Sequence, residues 1–224
     1  MSSPSRRTAV LWDMDGTFLD TEEWHFQTWR TTLRGRAPNF DRAMFVRSFG
    51  MNNQGCLGMY FGEPVPAERV AELSHEKEAL FRAGIPTETK PFPGVERWFA
   101  WLQERGIPQA VASSADLTNI RLGLSTFRLG QYFDLSFSGA ELPSKPAPDV
   151  FLGAARVLGV DARRCLVIED SRQGLAAGRA AGSVTLARQS GIQILPAEAT
   201  AITNDYLGDP AATLEPLLAR LQRS

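Results

Sequence analysis

The stretch LWDMDGTFLD, residues 11–20, places two aspartates two positions apart directly after a short apolar run. Asp13 and Asp15 stand where a buried strand would end, with Gly16 and Thr17 behind them. Two carboxylates at such a position cost free energy unless a partner compensates their charge. The pair therefore marks a candidate functional position, although a D-x-D alone is often a solvated turn.

Four short runs of β-branched or apolar residues are typical of buried parallel strands. They are TAVLWD at 8–13, QAVASS at 109–114, CLVIED at 165–170 and SVTLAR at 183–188. Helical patterns lie between them, for example from Val95 to Gly106 and from Pro148 to Gly159. This alternation predicts an α/β fold in which an open, mostly parallel sheet carries helices on both faces.

The region from about Asp20 to Lys90 breaks the alternation. It contains helical patterns and the turn-rich segment FGMNNQG at 49–55, but no convincing buried strand. It ends at KPFPG, residues 90–94, whose two prolines suit a stiff connector. We therefore predict a core domain of residues 1–18 and 91–224 and a helical cap domain of residues 19–90 that could act as a lid. The alternative is that these helices pack as part of one domain.

Composition and charge narrow the class of partner. The chain of 224 residues is 43% hydrophobic, and 24 Lys and Arg nearly balance 25 Asp and Glu. Without a strong net charge, no general field attracts nucleic acid or an anionic membrane, so we expect a small-molecule partner. No apolar run reaches the roughly 18 residues that a membrane span needs, and the N-terminal MSSPSRR lacks the apolar segment of a signal peptide. We expect a cytoplasmic protein, a monomer or a weak homodimer.

Polar side chains follow several of the predicted strands. Because the carboxyl ends of parallel strands meet at one edge of a sheet, these side chains can act together. They are Asp13 and Asp15, Ser113 and Ser114, Lys145 in the loop LPSKPAPD, and Glu169 and Asp170. Converging carboxylates repel one another unless a cation lies among them, and oxygen ligands without His or Cys suit Mg²⁺. Lys145 could then hold a phosphoryl oxygen, with the Ser113 hydroxyl as a neutral donor.

Four motifs carry a resemblance to a known family. DMDGT at 13–17, the serine of VASS at 111–114, SKPAPDVF at 144–151 and VIEDSRQG at 167–174 resemble, in order and context, the motifs of the haloacid dehalogenase-like (HAD) hydrolase superfamily. The subfamily with a helical cap inserted after the first motif fits best. The resemblance covers essentially the whole chain and implies a Rossmann-like three-layer α/β/α core with a mobile helical cap.

The resemblance also implies a division of labour. Asp13 resembles the nucleophile that forms an aspartyl-phosphate intermediate. Asp15 resembles the general acid that protonates the leaving alcohol and then, as a base, activates water. The implied Mg²⁺ site comprises Asp13, the backbone carbonyl of Asp15, and Asp170 with Glu169 in support.

The implied phosphate-binding residues complete the set. Ser113 and Lys145 resemble the phosphoryl clamp, with Ser114 beside them. Gly16 would let the chain turn close to the phosphate, and Thr17 could reach it through its hydroxyl or backbone.

Asp15 separates reaction classes within the superfamily. Dehalogenases lack the second aspartate because a halide needs no proton to leave. The presence of Asp15 therefore favours phosphoryl transfer over dehalogenation. A catalytically idle relative that serves as a binding module is a further alternative, and the intact motif set counts against it.

The acceptor of the phosphoryl group is the remaining choice. The segment DTEEWHFQTWR at 20–30 is similar to the start of the cap in β-phosphoglucomutase and its sugar-phosphatase relatives, with His25 at the position of a hinge-side histidine. A mutase must also bind a second phosphate, but where it has an arginine in the cap this chain has Asn53, and where it has Ser, Lys and Asn after the second motif this chain has Ala115, Asp116 and Leu117. The carboxylate of Asp116 disfavours binding of that second phosphate, which is a dianion.

We therefore predict a Mg²⁺-dependent phosphatase that acts on a small phosphorylated metabolite, with a sugar or polyol phosphate as the first choice. A β-phosphoglucomutase-like phosphomutase is the alternative. Candidate substrate contacts in the cap are His25, Arg47 and Asn53, and Lys77 could supply a cation there. Ordinary cap packing for His25 and a turn for Asn53 stay open as alternatives.

Overall fold

The computed structural model describes residues 7–189 and 199–223, and these contain a parallel six-stranded sheet and a separate two-stranded one. The sheet order is β5-β4-β1-β6-β7-β8, with every neighbouring pair parallel. The strands are β1 (Ala9–Trp12), β2 (Leu19–Asp20), β3 (Lys90–Pro91), β4 (Gln109–Ser113), β5 (Leu135–Ser138), β6 (Cys165–Glu169), β7 (Val184–Arg188) and β8 (Ala201–Thr203). The predicted Rossmann-like α/β fold is confirmed.

Helices cover both faces of this sheet. The α-helices of the described residues, including those that do not lie on the sheet, are α1 (Glu22–Thr32), α2 (Arg42–Ser48), α3 (Asn53–Phe61), α4 (Ala67–Glu88), α5 (Val95–Glu104), α6 (Leu117–Thr126), α7 (Asp149–Leu158), α8 (Arg172–Ala180) and α9 (Pro210–Arg223). Helix α7 follows Pro148 and ends at Gly159, whose φ of 72° is the left-handed conformation that favours glycine. Both predicted helical patterns therefore form helices.

The alternation of side chains along β1 explains the two layers of core. Trp12 points to one face, where it packs in a cluster with Trp98 and Phe99 of α5. Leu11 points to the other face, where it packs with Phe151 of α7. All four residues of β1 are buried, because successive side chains point to opposite faces and both faces are covered.

The helices α1 to α4, called the cap helices below, come between β2 and β3 in sequence. Asp20 of β2 pairs with Lys90 of β3, so the chain enters and leaves the cap helices at neighbouring positions. The cap helices also have their own apolar cluster, which includes Trp29, Leu57 and Tyr60. The prediction that residues 19–90 form a separate domain stays a prediction.

Three features of the fold escaped sequence analysis. Strands β5 and β8 form the two edges of the large sheet, where partial exposure makes the apolar pattern weak. The β2–β3 pair is only two residues long on each side.

The N-terminal segment used to judge a signal peptide begins with residues 1–6, which lie outside the described residues. Within 7–189 and 199–223, no helix combines the length and apolarity that crossing a membrane requires.

Candidate active site

The carboxyl ends of three central strands bring the predicted core residues together. Asp13 follows β1, Ser113 ends β4, and Glu169 ends β6 with Asp170 directly after it. Lys145 reaches the same place from the loop between β5 and α7. All five side chains are buried. The structure therefore assembles residues that are far apart in sequence at one edge of the sheet.

Lys145 forms two ion pairs at the centre of this cluster. Its Nζ lies 2.6 Å from Asp13 Oδ1 and 2.7 Å from Glu169 Oε1. Burial opposes a charged ammonium, but the two carboxylates raise the pKa of Lys145 above its ordinary value. The side chain is therefore a buried, permanently charged donor beside Asp13.

Glu169 holds Lys145 in place. Its second oxygen, Oε2, accepts hydrogen bonds from the backbone N–H groups of Asp170 and Ser171, both at 2.8 Å, and from the Ser171 hydroxyl at 2.9 Å. With Lys145 on Oε1, both carboxylate oxygens are engaged. The geometry gives Glu169 an orienting position behind Lys145.

Asp170 carries the open coordination position of the cluster. Its Oδ1 accepts a hydrogen bond from Thr17 Oγ1 at 3.1 Å, whereas Oδ2 is buried without a hydrogen-bond partner among the described residues. Oxygens of Asp13, Glu169 and Asp170 all lie within 4.8 Å of one another. Such an orphaned oxygen among buried carboxylates fits a divalent cation.

The electrostatics of these carboxylates also favour a bound cation. Burial raises the pKa of Asp13 to about 8, against the attraction of Lys145 and with repulsion from Glu169 adding to it. Burial and the neighbouring Glu169 and Asp13 raise the pKa of Asp170 well above its usual range. In the absence of a cation these side chains resist ionisation, and a divalent ion would remove that penalty.

Gly16 and Thr17 form the turn beneath the two aspartates. Gly16 has a φ of 79°, and a Cβ on it would overlap the Asp170 carboxylate, so only glycine fits. Its N–H donates to Leu19 O at 2.8 Å. The Thr17 hydroxyl faces Asp170 and lies 3.5 Å from Asp13 Oδ2. Their direct contact with phosphate stays a prediction.

Arg188, at the end of β7, is a neighbour of this turn that sequence analysis missed. Its Nη1 donates to the Gly16 carbonyl at 2.8 Å, and its guanidinium lies over the Phe92 ring, 3.4 Å from the ring centre. The N–H of Phe92 donates to Phe18 O, beside the β2–β3 pair. Arg188 thus links the turn at Gly16 to the segment that returns from the cap helices.

Asp15 is contacted by the start of α1. Its Oδ1 accepts a hydrogen bond from Thr21 Oγ1 at 2.9 Å and lies 3.2 Å from His25 Nε2. The His25 ring stacks on Phe81 at 3.9 Å. On its other side Nδ1 lies 3.0 Å from Lys77 Nζ. Because an ammonium only donates, Nδ1 is the acceptor and Nε2 carries the ring hydrogen. Nε2 makes no hydrogen bond of regular geometry with the described residues, so its approach to Asp15 is a close contact.

The protonation of His25 follows from the same surroundings. Burial and the neighbouring Lys77 ammonium lower its pKa, so the ring is neutral at pH 7. The sequence predicts His25 as a candidate substrate contact and Lys77 only as a candidate cation in the cap. Their pairing depends on helices α1 and α4 lying side by side.

The cap helices are fastened over the site by side-chain hydrogen bonds. Asn52 is buried, and its Nδ2 lies within hydrogen-bond distance of the Gly139, Ala140 and Leu142 carbonyls, at 3.3, 3.2 and 2.9 Å. Ser114 Oγ donates to Gly50 O at 2.8 Å. Ser114 therefore contacts the segment between α2 and α3 in this closed arrangement.

Two cavities lie between the cap helices and the sheet. The catalytic cavity, of about 50 Å³, is lined by Asp13, Asp15, Ser113 and cap residues that include His25, Tyr60 and Lys77. The outer cavity, of about 470 Å³, is lined by residues that include His75, Arg82, Asp116 and Glu141. Asn53, Glu78 and Ser114 line both. Arg47, by contrast, is exposed and is not among the lining residues of either cavity.

The sequence profile of the haloacid dehalogenase-like hydrolases matches residues 8–182 of this chain, which include all the residues of the cluster. The chain belongs to this family. The predicted resemblance is confirmed, and the protein is a HAD-like hydrolase.

Other proteins resemble this HAD-like hydrolase along most of its length. Fructose-1-phosphate phosphatase YqaB of Escherichia coli is 30% identical over 182 residues, which cover 79% of this chain and 94% of YqaB. A β-phosphoglucomutase structure from Clostridium difficile has a TM-score of 0.82 at 20% identity and covers 97% of this chain and 98% of its own.

A third similar protein has been solved in complex with a bisphosphate. The structure of a CbbY mutant from Rhodobacter sphaeroides in complex with xylulose-(1,5)bisphosphate has a TM-score of 0.76 at 24% identity and covers 89% of this chain and 95% of its own. At these identities the two solved structures demonstrate the HAD-like fold alone.

Proposed function

We propose that this HAD-like hydrolase is a Mg²⁺-dependent phosphatase that releases phosphate from a small phosphomonoester, with a sugar or polyol phosphate as the substrate. The observation that carries the proposal is the pair Asp13 and Asp15 at the end of β1, with the buried Lys145 ammonium 2.6 Å from Asp13. The similarity to YqaB, a fructose-1-phosphate phosphatase, supports the same substrate class.

The reaction divides into two displacements. A carboxylate oxygen of Asp13 attacks phosphorus, the bond between phosphorus and the ester oxygen breaks, and Asp15 gives its proton to the leaving alkoxide. Water then attacks the phosphorus of the aspartyl phosphate while Asp15 takes its proton. The acyl phosphate bond breaks, which returns Asp13 as a carboxylate and releases inorganic phosphate.

Charge at the phosphoryl group is met by the donors around Asp13. Lys145 contacts a phosphoryl oxygen as a buried point charge, and Ser113 adds a hydroxyl from the end of β4. Glu169 keeps Lys145 oriented through its own ion pair at 2.7 Å. Gly16, Thr17 and Ser114 complete the proposed phosphate-binding set.

Asp13, the Asp15 carbonyl and Asp170 are the proposed Mg²⁺ ligands, with Asp170 Oδ2 as the oxygen that otherwise lacks a partner. When bound, Mg²⁺ would neutralise the carboxylates and polarise the phosphoryl oxygens. Glu169 supports the site from behind, because both its oxygens already accept hydrogen bonds.

We also propose that the cap helices form a lid. The catalytic cavity of about 50 Å³ holds a few waters, whereas ligand pockets typically measure about 300–1,000 Å³, so a substrate enters only if the lid opens. Lid closure then excludes bulk water from the phosphoryl group. The cytoplasmic location and the monomeric or weakly dimeric state stay predictions.

A phosphomutase is the less favoured assignment. It needs a cation for the phosphate that does not react, and the chain has Asp116 where the mutase pattern has a base. Production of glucose 6-phosphate from β-glucose 1-phosphate, dependent on a bisphosphate activator, would establish that assignment.

The test of the proposal is hydrolysis of p-nitrophenyl phosphate with Mg²⁺. We expect phosphate release that disappears with a chelator and returns with added Mg²⁺. Asp13→Asn removes the nucleophile and should abolish turnover, whereas Asp161→Asn, at an exposed ion pair with Arg163, is the matched control. Activity that survives in Asp13→Asn would overturn the assigned roles.

A further inference from the structure

Glu78 lines both the catalytic cavity, together with Asp13 and Asp15, and the outer cavity. Its Oε1 accepts hydrogen bonds from Lys77 Nζ and Asn53 Nδ2, both at 2.8 Å. Its Oε2 accepts one from Asn119 Nδ2, of helix α6, at 2.6 Å. Glu78 is therefore a buried carboxylate held by both the cap helices and the core.

The charge of Glu78 is retained at neutral pH. Burial opposes ionisation, but Lys77, His25 and the hydrogen bonds outweigh it and lower the pKa of Glu78 to about 2. The carboxylate therefore presents a fixed negative charge to the two cavities.

Each Lys and Arg side chain that lines the two cavities in the described parts of the chain already has an acidic partner. Lys77 lies 2.8 Å from Glu78, and its ammonium also lies over the ring of Phe81, 4.8 Å from the centre. Arg82 lies 3.2 Å from Asp116 and donates to Asn119 Oδ1 at 3.1 Å. A second anionic group on the substrate would have to displace one of these carboxylates to gain a counter-ion.

We propose that Glu78 determines specificity by neutralising Lys77, so that the substrate is the monophosphate of an uncharged polyhydroxyl compound and bisphosphates and phosphorylated carboxylic acids are rejected. The inference rests on the proposed phosphatase function, whose reacting phosphate is bound at Asp13 and Lys145. It separates this chain from the CbbY structure that holds a bisphosphate.

The physical basis is the difference between a hydroxyl and an anion beside Glu78. A hydroxyl can donate to the Glu78 carboxylate and accept from neighbouring amides, so it replaces the hydrogen bonds that it loses with water. A carboxylate has no proton to donate at pH 7 and a phosphate monoester is largely a dianion, so either group is repelled by Glu78 and Asp116, which line the outer cavity. Like charges across a buried contact are a strong means of exclusion.

The first test compares matched esters on the unaltered protein. We expect kcat/KM for fructose 1-phosphate or sorbitol 6-phosphate to exceed that for fructose 1,6-bisphosphate and phosphoglycolate by about 100-fold or more. Titration calorimetry with Asp13→Asn measures the same preference without turnover. A bisphosphate bound as tightly as the monophosphate would overturn the inference.

The second test changes the charge of Glu78 alone. Glu78→Gln keeps an oxygen that can accept from Lys77 and Asn53 but frees the Lys77 charge, so the ratio of bisphosphate to monophosphate kcat/KM should rise about tenfold. Glu76→Gln is the matched control, because Glu76 lies on the same helix as Glu78 and forms a half-exposed ion pair with Arg36. It should leave that ratio unchanged. An unchanged ratio in Glu78→Gln contradicts the inference.

Hydrolysis of p-nitrophenyl phosphate distinguishes failure of the inference from failure of the proposed function. Hydrolysis of this ester together with a preference for the bisphosphate refutes only the role of Glu78. An absence of hydrolysis for every ester refutes the phosphatase assignment, and the calorimetric comparison then decides whether Glu78 still excludes a second anion.

Discussion

His25 Nε2, on the first cap helix, lies 3.2 Å from Oδ1 of Asp15, at the end of the central strand. The contact is backed by Lys77, whose ammonium donates to His25 Nδ1 at 3.0 Å and fixes the ring tautomer. The imidazole of a cap helix therefore lies directly beside the Asp15 carboxylate. In the proposed lid, closure of the cap helices would bring His25 to the proposed general acid and base as well as exclude water.

Replacement of His25 by asparagine should reduce kcat about 10–100-fold, because Asp15 loses the imidazole that lies 3.2 Å from its carboxylate and helps to position it. The substitution also leaves Lys77 without the ring nitrogen that it contacts at 3.0 Å. Steady-state kinetics with p-nitrophenyl phosphate measure the effect. Arg34→Asn, at an exposed position that lines neither cavity, is the control. An unchanged kcat in His25→Asn would show that the ring only packs.

Arg188→Met should reduce kcat about tenfold with a smaller change in KM. The substitution removes the 2.8 Å hydrogen bond to the Gly16 carbonyl and the stacking on Phe92, so Asp15, next to Gly16, is held less firmly. Arg188→Lys keeps the charge but not the planar stack, and should recover only part of the rate. Arg163→Met, at an exposed arginine, is the control. Equal kinetics for Arg188→Met and the unaltered protein would refute a positioning role.

The predictable part of the site is the part that lies at strand ends. Asp13, Ser113 and Glu169 each follow a buried apolar run, and parallel strands bring their carboxyl ends to one edge. The sequence pattern therefore predicted both the α/β sheet and the clustering of these residues. The edge strands β5 and β8 escaped because their side chains are half-exposed or exposed, which weakens an apolar pattern.

The unpredicted part depends on contacts between distant elements. Arg188 and Gly16 are 172 positions apart, and neither has a local signature of the other. Lys77 and His25 meet only because α4 packs beside α1. Asn52 sits in a turn-rich segment that gives no sign of the core carbonyls it contacts. Such contacts follow from tertiary packing, which periodicity and local motifs do not encode.

Asn52→Ser should raise KM about fivefold or more while kcat changes less. Serine can still accept from Gly55 N–H as the N-cap of α3, as Asn52 Oδ1 does at 3.1 Å, but it lacks the amide that contacts the core carbonyls. Leaving those carbonyls unpaired disfavours the closed lid, and we expect a loss of about 1–2 kcal/mol of stability. Kinetics and urea unfolding measure the two effects. Ser125→Ala, at an exposed hydroxyl on α6, is the control.

Acid should destabilise the unaltered protein more than Glu78→Gln. Lysine, histidine and amide partners lower the folded-state pKa of Glu78 from 4.5 to about 2. Between these values the unfolded chain binds the proton and the folded protein does not, so the stabilisation is present above about pH 4.5 and is lost as the pH falls toward 2. At pH 3.5 the unaltered protein should have lost about 1 kcal/mol of the stabilisation that Glu78 contributes at pH 6.

The measurement is the free energy of unfolding in urea at pH 6 and pH 3.5. Other buried acids, including Asp13 and Asp170, are common to both proteins, so the difference in pH dependence isolates Glu78. Glu76→Gln should follow the unaltered protein, because its ion pair with Arg36 is half-exposed to solvent. If Glu78→Gln and the unaltered protein lose stability in parallel between the two pH values, Glu78 is not held as the buried anion on which the exclusion of charged leaving groups depends.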